Sequence, residues 1–172
     1  MKKFELTNEF ITNMFGTKLF RIRALVEFGD VEAGELGGYV EKESNLGHDD
    51  NAWVYGDALV SGDALVYDNA RVYGNARVYG DARVYGDAWV YGNARVCGDA
   101  RVSGDAWVFG DARVSGDARV CGNARVSGDA WVFGDARVSG DKDYAYARGF
   151  GSCNRTTTFF RLKDGDVGVQ DI

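Results

Sequence analysis

The chain has 172 residues, a typical length for one domain with a continuous core. Its 26 Asp and Glu outnumber its 20 Lys and Arg, and the formal net charge of -6 argues against a general nucleic-acid-binding protein, which needs a basic face. Aromatic residues make up 13% of a sequence that has 24 Gly and no Pro, so we expect a folded domain rather than a disordered linker.

The sequence predicts a soluble cytoplasmic protein. Its first residues contain no apolar stretch typical of a signal peptide, and no run of about 18 uncharged apolar residues predicts a membrane-spanning helix. Cys97, Cys121 and Cys153 lack the spacing of a disulfide framework or a zinc site, so we expect reduced thiols and no metal or other cofactor.

Residues 1–50 are predicted to form an N-terminal cap. Strands are expected near residues 4–7 and 18–25, as a short hairpin that leads into an irregular first coil. A cap is needed because the open end of a β-helix presents unpaired strand edges that would otherwise pair with other molecules.

Residues 51–140 are fifteen consecutive hexads, mostly of the form Asp/Asn-Ala-(Arg/Trp/Leu)-Val-(Tyr/Ser/Phe/Cys)-Gly. Ala and Val lie two positions apart, so in an extended segment both point to one side, which we predict to be the interior. Gly followed by Asp or Asn predicts a tight turn after each short strand, and Asp68 is the one exception to Gly. Stacked hexads would bury a column of Val and a column of Ala.

Residues 141–172 are predicted to form a C-terminal cap. Tyr144, Tyr146 and Arg148 alternate as in a strand, and a hairpin is expected through residues 163–166.

The hexads resemble those of the hexapeptide-repeat proteins, in which an aliphatic residue is followed four positions later by a small one, as Val84 is by Ala88. That resemblance implies an all-β fold, a single-stranded parallel left-handed β-helix with three hexads per triangular coil. The repeat region would then form about five regular coils between the two caps. The left-handedness follows from the resemblance alone.

The flanks resemble a narrower group. The segments FRIRAL at 20–25, GELGGYV at 34–40 and RTTTFFR at 155–161 are similar to those of the YdcK-like proteins, a family labelled as transferases that has relatives in phages and prophages. A phage origin would place the protein in the host cytoplasm. Members often continue beyond the point at which this sequence ends.

A coil of 18 residues would sort the outward side chains into three faces. The first is predicted to be an exposed aromatic surface for protein binding or homo-oligomerisation, because Trp and its neighbours do not fit the narrow interior. Its predicted binding residues are Trp53, Tyr55, Tyr73, Trp89, Tyr91, Trp107 and Phe109. Strand propensity alone is the alternative explanation for these aromatic residues.

The second face is predicted to carry an arginine ladder with Asp at the adjoining turn. Arginines one rung apart repel by about 0.9 kcal/mol in water, so they need counter-charge from the repeat itself or from an anionic ligand. The candidate anion-binding ladder is Arg83, Arg101, Arg119 and Arg137. Ion pairing within the repeat is the simpler interpretation, and binding of carboxylate or phosphate is the alternative. The third face is mixed.

These patterns favour a non-enzymatic binding scaffold without catalytic residues. The partners we expect are another copy, as a dimer or trimer, or a host protein complex; a phage counter-defence role is one hypothesis. Two alternatives stay open: a hexapeptide-repeat acyltransferase, as the family label implies, and a sponge for phosphorylated small ligands. His48 is the lone histidine and lies in the cap beside Asp49 and Asp50. We expect it to be a surface residue rather than a general base.

Overall fold

A computed structural model describes residues 1–140, 143–150, 155–161 and 167–171 of the chain. It is an all-β parallel solenoid of about six turns, and the described residues contain a single short 3₁₀ helix, Glu43–Asn45. None of their helices is long and apolar enough to cross a membrane. The predicted all-β parallel solenoid is confirmed, whereas its left-handedness and the division at residues 50 and 140 stay predictions.

Three longer strands precede the repeat: β1 (Phe4–Thr12), β2 (Lys18–Ala24) and β3 (Leu36–Val40). The repeat forms fifteen strands of two residues each. They are β4 (Trp53–Val54), β5 (Leu59–Val60), β6 (Leu65–Val66), β7 (Arg71–Val72), β8 (Arg77–Val78), β9 (Arg83–Val84), β10 (Trp89–Val90), β11 (Arg95–Val96), β12 (Arg101–Val102), β13 (Trp107–Val108), β14 (Arg113–Val114), β15 (Arg119–Val120), β16 (Arg125–Val126), β17 (Trp131–Val132) and β18 (Arg137–Val138). Three strands follow: β19 (Tyr144–Phe150), β20 (Arg155–Arg161) and β21 (Val167–Asp171).

The repeat strands stack into three parallel sheets, one for each face of the solenoid. Every third strand is a neighbour, in the orders β16-β13-β10-β7-β4, β18-β15-β12-β9-β6 and β5-β8-β11-β14-β17. Positions 18 residues apart pair directly: Arg101 lies beside Arg83 on one side and Arg119 on the other. The predicted register is therefore the observed one. A backbone N–H donates to a carbonyl of the next coil, as from Arg101 to Ala118 at 2.9 Å.

The interior consists of the Ala and Val columns. Each Ala of the hexads, from Ala52 to Ala136, and each Val, from Val54 to Val138, has a relative exposure of 0%. The prediction that these two positions face inward is confirmed. Because each buried Val contributes about 1.5–3 kcal/mol and is shared between neighbouring coils, the stability of the solenoid is distributed along its length.

The turns explain why the sixth position is Gly. Gly92 has φ +73, and a Cβ built on it would lie 3.0 Å from the backbone nitrogen of Gly110 in the next coil. Asp68 takes the same left-handed conformation, with φ 57, and its carboxylate accepts the Gly86 N–H at 3.1 Å. This bond offsets part of the strain that a non-Gly residue carries there.

The N-terminal hairpin is longer than the sequence predicts. β1 continues to Thr12 rather than ending near residue 7, because the chain reverses only at Asn13, whose carboxamide oxygen accepts the N–H groups of Phe15 and Thr17 at 2.9 and 3.0 Å. A register shift between Leu6 and Phe10 interrupts its pairing with β2. β3 then turns parallel and pairs with β5, so the cap continues one face of the solenoid.

Cap side chains satisfy the carbonyl groups at the open end of the first regular coil. The buried Asn45 carboxamide donates to the carbonyls of Gly62 at 3.0 Å and Ala64 at 2.9 Å. The Lys3 ammonium, only 3% exposed, donates to the carbonyl of Ala52 at 2.9 Å. Polar groups that would otherwise recruit another strand are thereby used within the chain.

Buried Lys3 gives the protein a characteristic alkaline pH dependence. Burial lowers its pKa from 10.5 to about 8, and the carboxylates of Asp50 and Asp49 offset this only in part. Between those two pH values the folded state has lost a proton that the unfolded chain keeps, so the free energy of unfolding should rise with pH from about 8. Near pH 10 the trend reverses, because burial raises the pKa of Tyr55 and Tyr73 and the unfolded chain ionises first. Urea unfolding across this range should lose its rising limb in Lys3→Met; a rising limb that persists in Lys3→Met contradicts the assignment.

At the other end, strands β19, β20 and β21 form an antiparallel sheet in that order. The Thr158 hydroxyl accepts the N–H of Trp131 at 3.2 Å, and the Asp143 carboxylate accepts that of Ser139 at 2.8 Å. Both donors belong to the last coil, so the tail supplies acceptors that a further coil would otherwise provide. The predicted turn at 163–166 and Cys153 lie outside the described residues.

Candidate binding faces

The aromatic face is the outer surface of β4, β7, β10, β13 and β16. It carries two columns, the first Arg71, Trp89, Trp107 and Arg125 and the second Tyr55, Tyr73, Tyr91 and Phe109. All the rings in these two columns are half-buried. The structure therefore brings together the aromatic residues that the sequence predicted as a binding surface, with Trp53 as the exception.

The rings of this face stack along the solenoid with almost no rotation between coils. Trp89 and Trp107 lie 5.2 Å apart with planes 4° apart. Tyr91 stacks on Tyr73 at 5.0 Å and on Phe109 at 4.9 Å, with interplanar angles of 2° in both cases. Such pairs contribute about 0.5–1.5 kcal/mol each beyond their burial. The face is consequently flat, and its rings are held in fixed orientations.

Arginines close both ends of the tryptophan pair. The Arg71 guanidinium lies 5.6 Å from the Trp89 ring centroid, and that of Arg125 lies 4.9 Å from Trp107. The flat sides of the indoles are thus occupied by each other and by cations, and their edges point outward. A ligand that needs a free indole plane, such as a stacked sugar or a quaternary ammonium, does not fit this arrangement.

Trp53 corrects the predicted binding surface, because it is fully buried. The rings of Phe4 and Phe28 pack edge-on against it, with centroids at 6.1 and 5.3 Å. Trp53 belongs to the first hexad, where the coil below is replaced by the cap, so its outward side chain is covered rather than displayed. Its indole nitrogen has no hydrogen-bond partner within the described residues. The expectation that Trp53 contacts a partner is wrong.

A loop of the cap reaches onto the start of the aromatic face. The Asp30 carboxylate accepts from the Tyr55 hydroxyl at 3.0 Å and from the Arg71 guanidinium at 2.8 Å. Tyr55 is consequently turned by 86° against Tyr73 instead of continuing the stack, and burial together with Asp30 raises its pKa. These residues, with Trp89, line a shallow groove of about 250 Å³. The sequence gave no signal for the role of Asp30, which lies in an irregular loop.

The rims of the aromatic face are polar and partly hydrogen-bonded. The Asn69 carboxamide donates to Asp87 at 3.1 Å along one rim, and that of Asn93 donates to Asp111 at 3.1 Å along the other. The third corner of the prism has only Asp, at 63, 81, 99, 117 and 135. Within the described residues, no three metal-binding side chains converge as a metal site would require.

The arginine face is the surface of β6, β9, β12, β15 and β18. Its four ladder residues, Arg83, Arg101, Arg119 and Arg137, are all exposed and paired coil to coil. The expected ion pairs with Asp of the repeat are not found: across 1–140 and the described parts of the tail, no ion pair joins two repeat positions. The Asp residues lie at turns and the arginines on the flat strands, so the two columns compensate each other only at longer range.

His48 lies inside the cap rather than on an open surface. Its Nδ1 accepts the backbone N–H of Lys3 at 3.2 Å, its Nε2 lies 3.0 Å from the Glu43 carboxylate, and its ring stacks on Phe4 at 4.5 Å. Both ring nitrogens are therefore engaged in holding the N-terminal strand. The expectation of a surface residue is replaced by that of a half-buried structural bridge.

Comparison with known families gives one match. A family model described as the YdcK β-solenoid repeat matches residues 76–92, 94–110 and 118–132. No curated protein matches the chain.

Proposed function

We propose that this chain, which carries the β-solenoid repeats of the YdcK family, is a rigid, non-enzymatic binding scaffold whose aromatic face contacts another protein. The observation that carries the proposal is the pair of stacked columns. Trp89, Trp107, Tyr91 and Phe109 are held by their neighbours before any partner arrives, so binding would order few side chains and lose little entropy.

The composition of the face supports the same role. A centre of Trp and Tyr between rims of Asn and Asp is the arrangement typical of protein interfaces, in which aromatic residues supply most of the binding energy. If the gene belongs to a phage, the partner we propose is a complex of the host cell, and the role one of counter-defence.

Substitutions already present in the repeat give a clean test. Trp107→Arg puts into the column a residue that β7 and β16 carry there, and Trp131→Arg makes the same change on the mixed face, where β8, β11 and β14 carry Arg. In affinity capture from the cell of origin with quantitative mass spectrometry, partners should bind wild type and Trp131→Arg and be lost with Trp107→Arg. Equal capture by all three chains contradicts the proposal.

The arginine face supports a second candidate function, binding of phosphorylated small ligands. Four exposed guanidinium groups in register and without ion pairs can bind phosphate. Pyrophosphate titrated in a calorimeter should bind more weakly as salt rises. Binding should be lost in Arg101→Gln/Arg119→Gln and kept in the charge-matched control Arg77→Gln/Arg95→Gln. Equal binding by both variants excludes the ladder.

A further inference from the structure

We infer that the aromatic face recognises a second copy of this chain, with the two solenoids antiparallel and a twofold axis passing through the coil of Trp89 and Tyr91. The inference rests on the proposed function and names the partner of that face. Two observations carry it: the flatness of the face, and the order of charged, amide and aromatic residues along it.

Flatness permits contact along several coils at once. Successive ring planes on the face differ by only 2° to 4°, so neighbouring coils are barely rotated against each other. A twisted surface would meet its own copy at one point. Two flat faces can instead meet rung on rung, at the common spacing of about 4.8 Å.

The order of residues selects one arrangement. With the axis through Trp89, the Arg71 guanidinium faces Trp107 of the other copy, and Trp89 faces its own equivalent. The rims then match as well, because Asn69 faces Asp105 and Asn75 faces Asp111. Each of these contacts occurs twice by symmetry. One like-charge contact remains, between the two Asp87 side chains on the axis.

Other registers are less complementary. If the axis lies half a coil away, between Trp89 and Trp107, Arg71 faces Arg125 and Asp87 faces Asp105, each twice. If the copies run parallel, Asp105 faces Asp111 twice and Asn69 faces Asn75. Like charges facing each other at an interface disfavour a register strongly, so the antiparallel register centred on Trp89 is selected.

The size of the face sets the expected strength. Five coils at about 4.8 Å by four residues at about 3.3 Å give a contact of roughly 300 Å² on each copy. Stable complexes bury about 800 Å² on each side, so the dimer should be reversible and depend on concentration in the micromolar range or above.

Sedimentation velocity of the purified chain over micromolar to submillimolar concentrations tests the inference. Wild type and Trp131→Arg should pass from monomer to dimer. Trp107→Arg places Arg opposite Arg71 of the other copy and should weaken dimerisation about tenfold or more. Arg71→Trp/Trp107→Arg restores an Arg–Trp contact in this register alone and should recover most of the affinity.

Three results overturn the inference: a monomer at every concentration, a trimer, or a dimer that Trp107→Arg leaves unchanged. The last result is the one expected of a parallel pair, in which residue 107 faces Phe109. A monomeric protein that still captures a cellular partner through Trp107 would refute self-recognition and leave the binding role of the face intact. Loss of both would refute the two together.

Discussion

Replacing Gly37 with Ala should detach the N-terminal cap from the solenoid. A Cβ at this position would lie 2.6 Å from Ile22 Cγ1, 2.6 Å from the Val54 carbonyl oxygen and 2.8 Å from Trp53. Ile22 and Trp53 are fully buried and the carbonyl is backbone, so none of the three can move away easily. Overpacking of this kind costs about 1–3 kcal/mol, and a clash with backbone lies at or above the upper end.

Chemical unfolding together with hydrogen exchange measures this effect. Gly37→Ala should lower the free energy of unfolding by about 3 kcal/mol and speed exchange in the first coil more than in the middle of the repeat. Two controls separate the causes. Gly140→Ala meets nothing within 4 Å and should be nearly neutral, whereas Gly56→Ala adds only the strain of its left-handed φ of +59. A Gly37→Ala protein as stable as Gly140→Ala would show that the cap is not packed as described.

The repeat region could be predicted from sequence because its physics is periodic. Val two residues after Ala in every hexad leaves one way to bury both, and a coil of 18 residues follows once three turns close a prism. The 0% exposure of Val84 and the pairing of Arg83 with Arg101 are direct consequences. In such a region each coil repeats the environment of its neighbour, so one correct inference applies along the whole repeat.

The cap could not be predicted in the same way, because its contacts are not periodic. Lys3, Asn45 and Gly37 act through atoms more than forty, seventeen and fifteen residues away, and no spacing rule links these positions. Trp53 was misplaced for this reason: the repeat predicts an outward side chain, and only the folded cap buries it. The same holds for Asp30, whose contact with Arg71 joins an irregular loop to the third coil of the chain's aromatic column.

Side-chain ladders also exceed what spacing alone reveals. The columns could be listed from the sequence, but not whether Arg71 would lie over Trp89 or pair with Asp in its own face. The structure shows cation–aromatic contacts for Arg71, Arg113 and Arg125, in each case where Trp is the neighbour along the column. Arg next to Trp one coil away is thus the pattern by which such contacts can be found in related repeats.

Deletions of different length should separate the fold of the solenoid from the pattern on its faces. Removing Arg95 alone shifts the alternation of every later hexad against the coil below, so polar or aromatic side chains would turn inward. The single cooperative unfolding transition should be lost. Removing residues 93–98, one hexad, keeps every Val over Val and Ala over Ala but moves all later residues to the next face. Removing residues 93–110, one full coil, keeps both the interior and the faces.

The two longer deletions differ only in the faces, and this makes them a matched pair. Both should unfold cooperatively, as followed by circular dichroism with urea. In the hexad deletion Trp107 stacks over Arg83 instead of Trp89, so Trp89 no longer follows Arg71 into an aromatic column and the rim bond between Asn93 and its neighbours is absent. The coil deletion stacks Trp89 directly under Arg125 and keeps a cation at each end. If the interior alone determines stability, the two proteins should differ by no more than the few stacked pairs lost, about 0.5–1.5 kcal/mol each. A hexad deletion that fails to fold would mean that the outer columns, and not the buried Val and Ala, set the register of the coils.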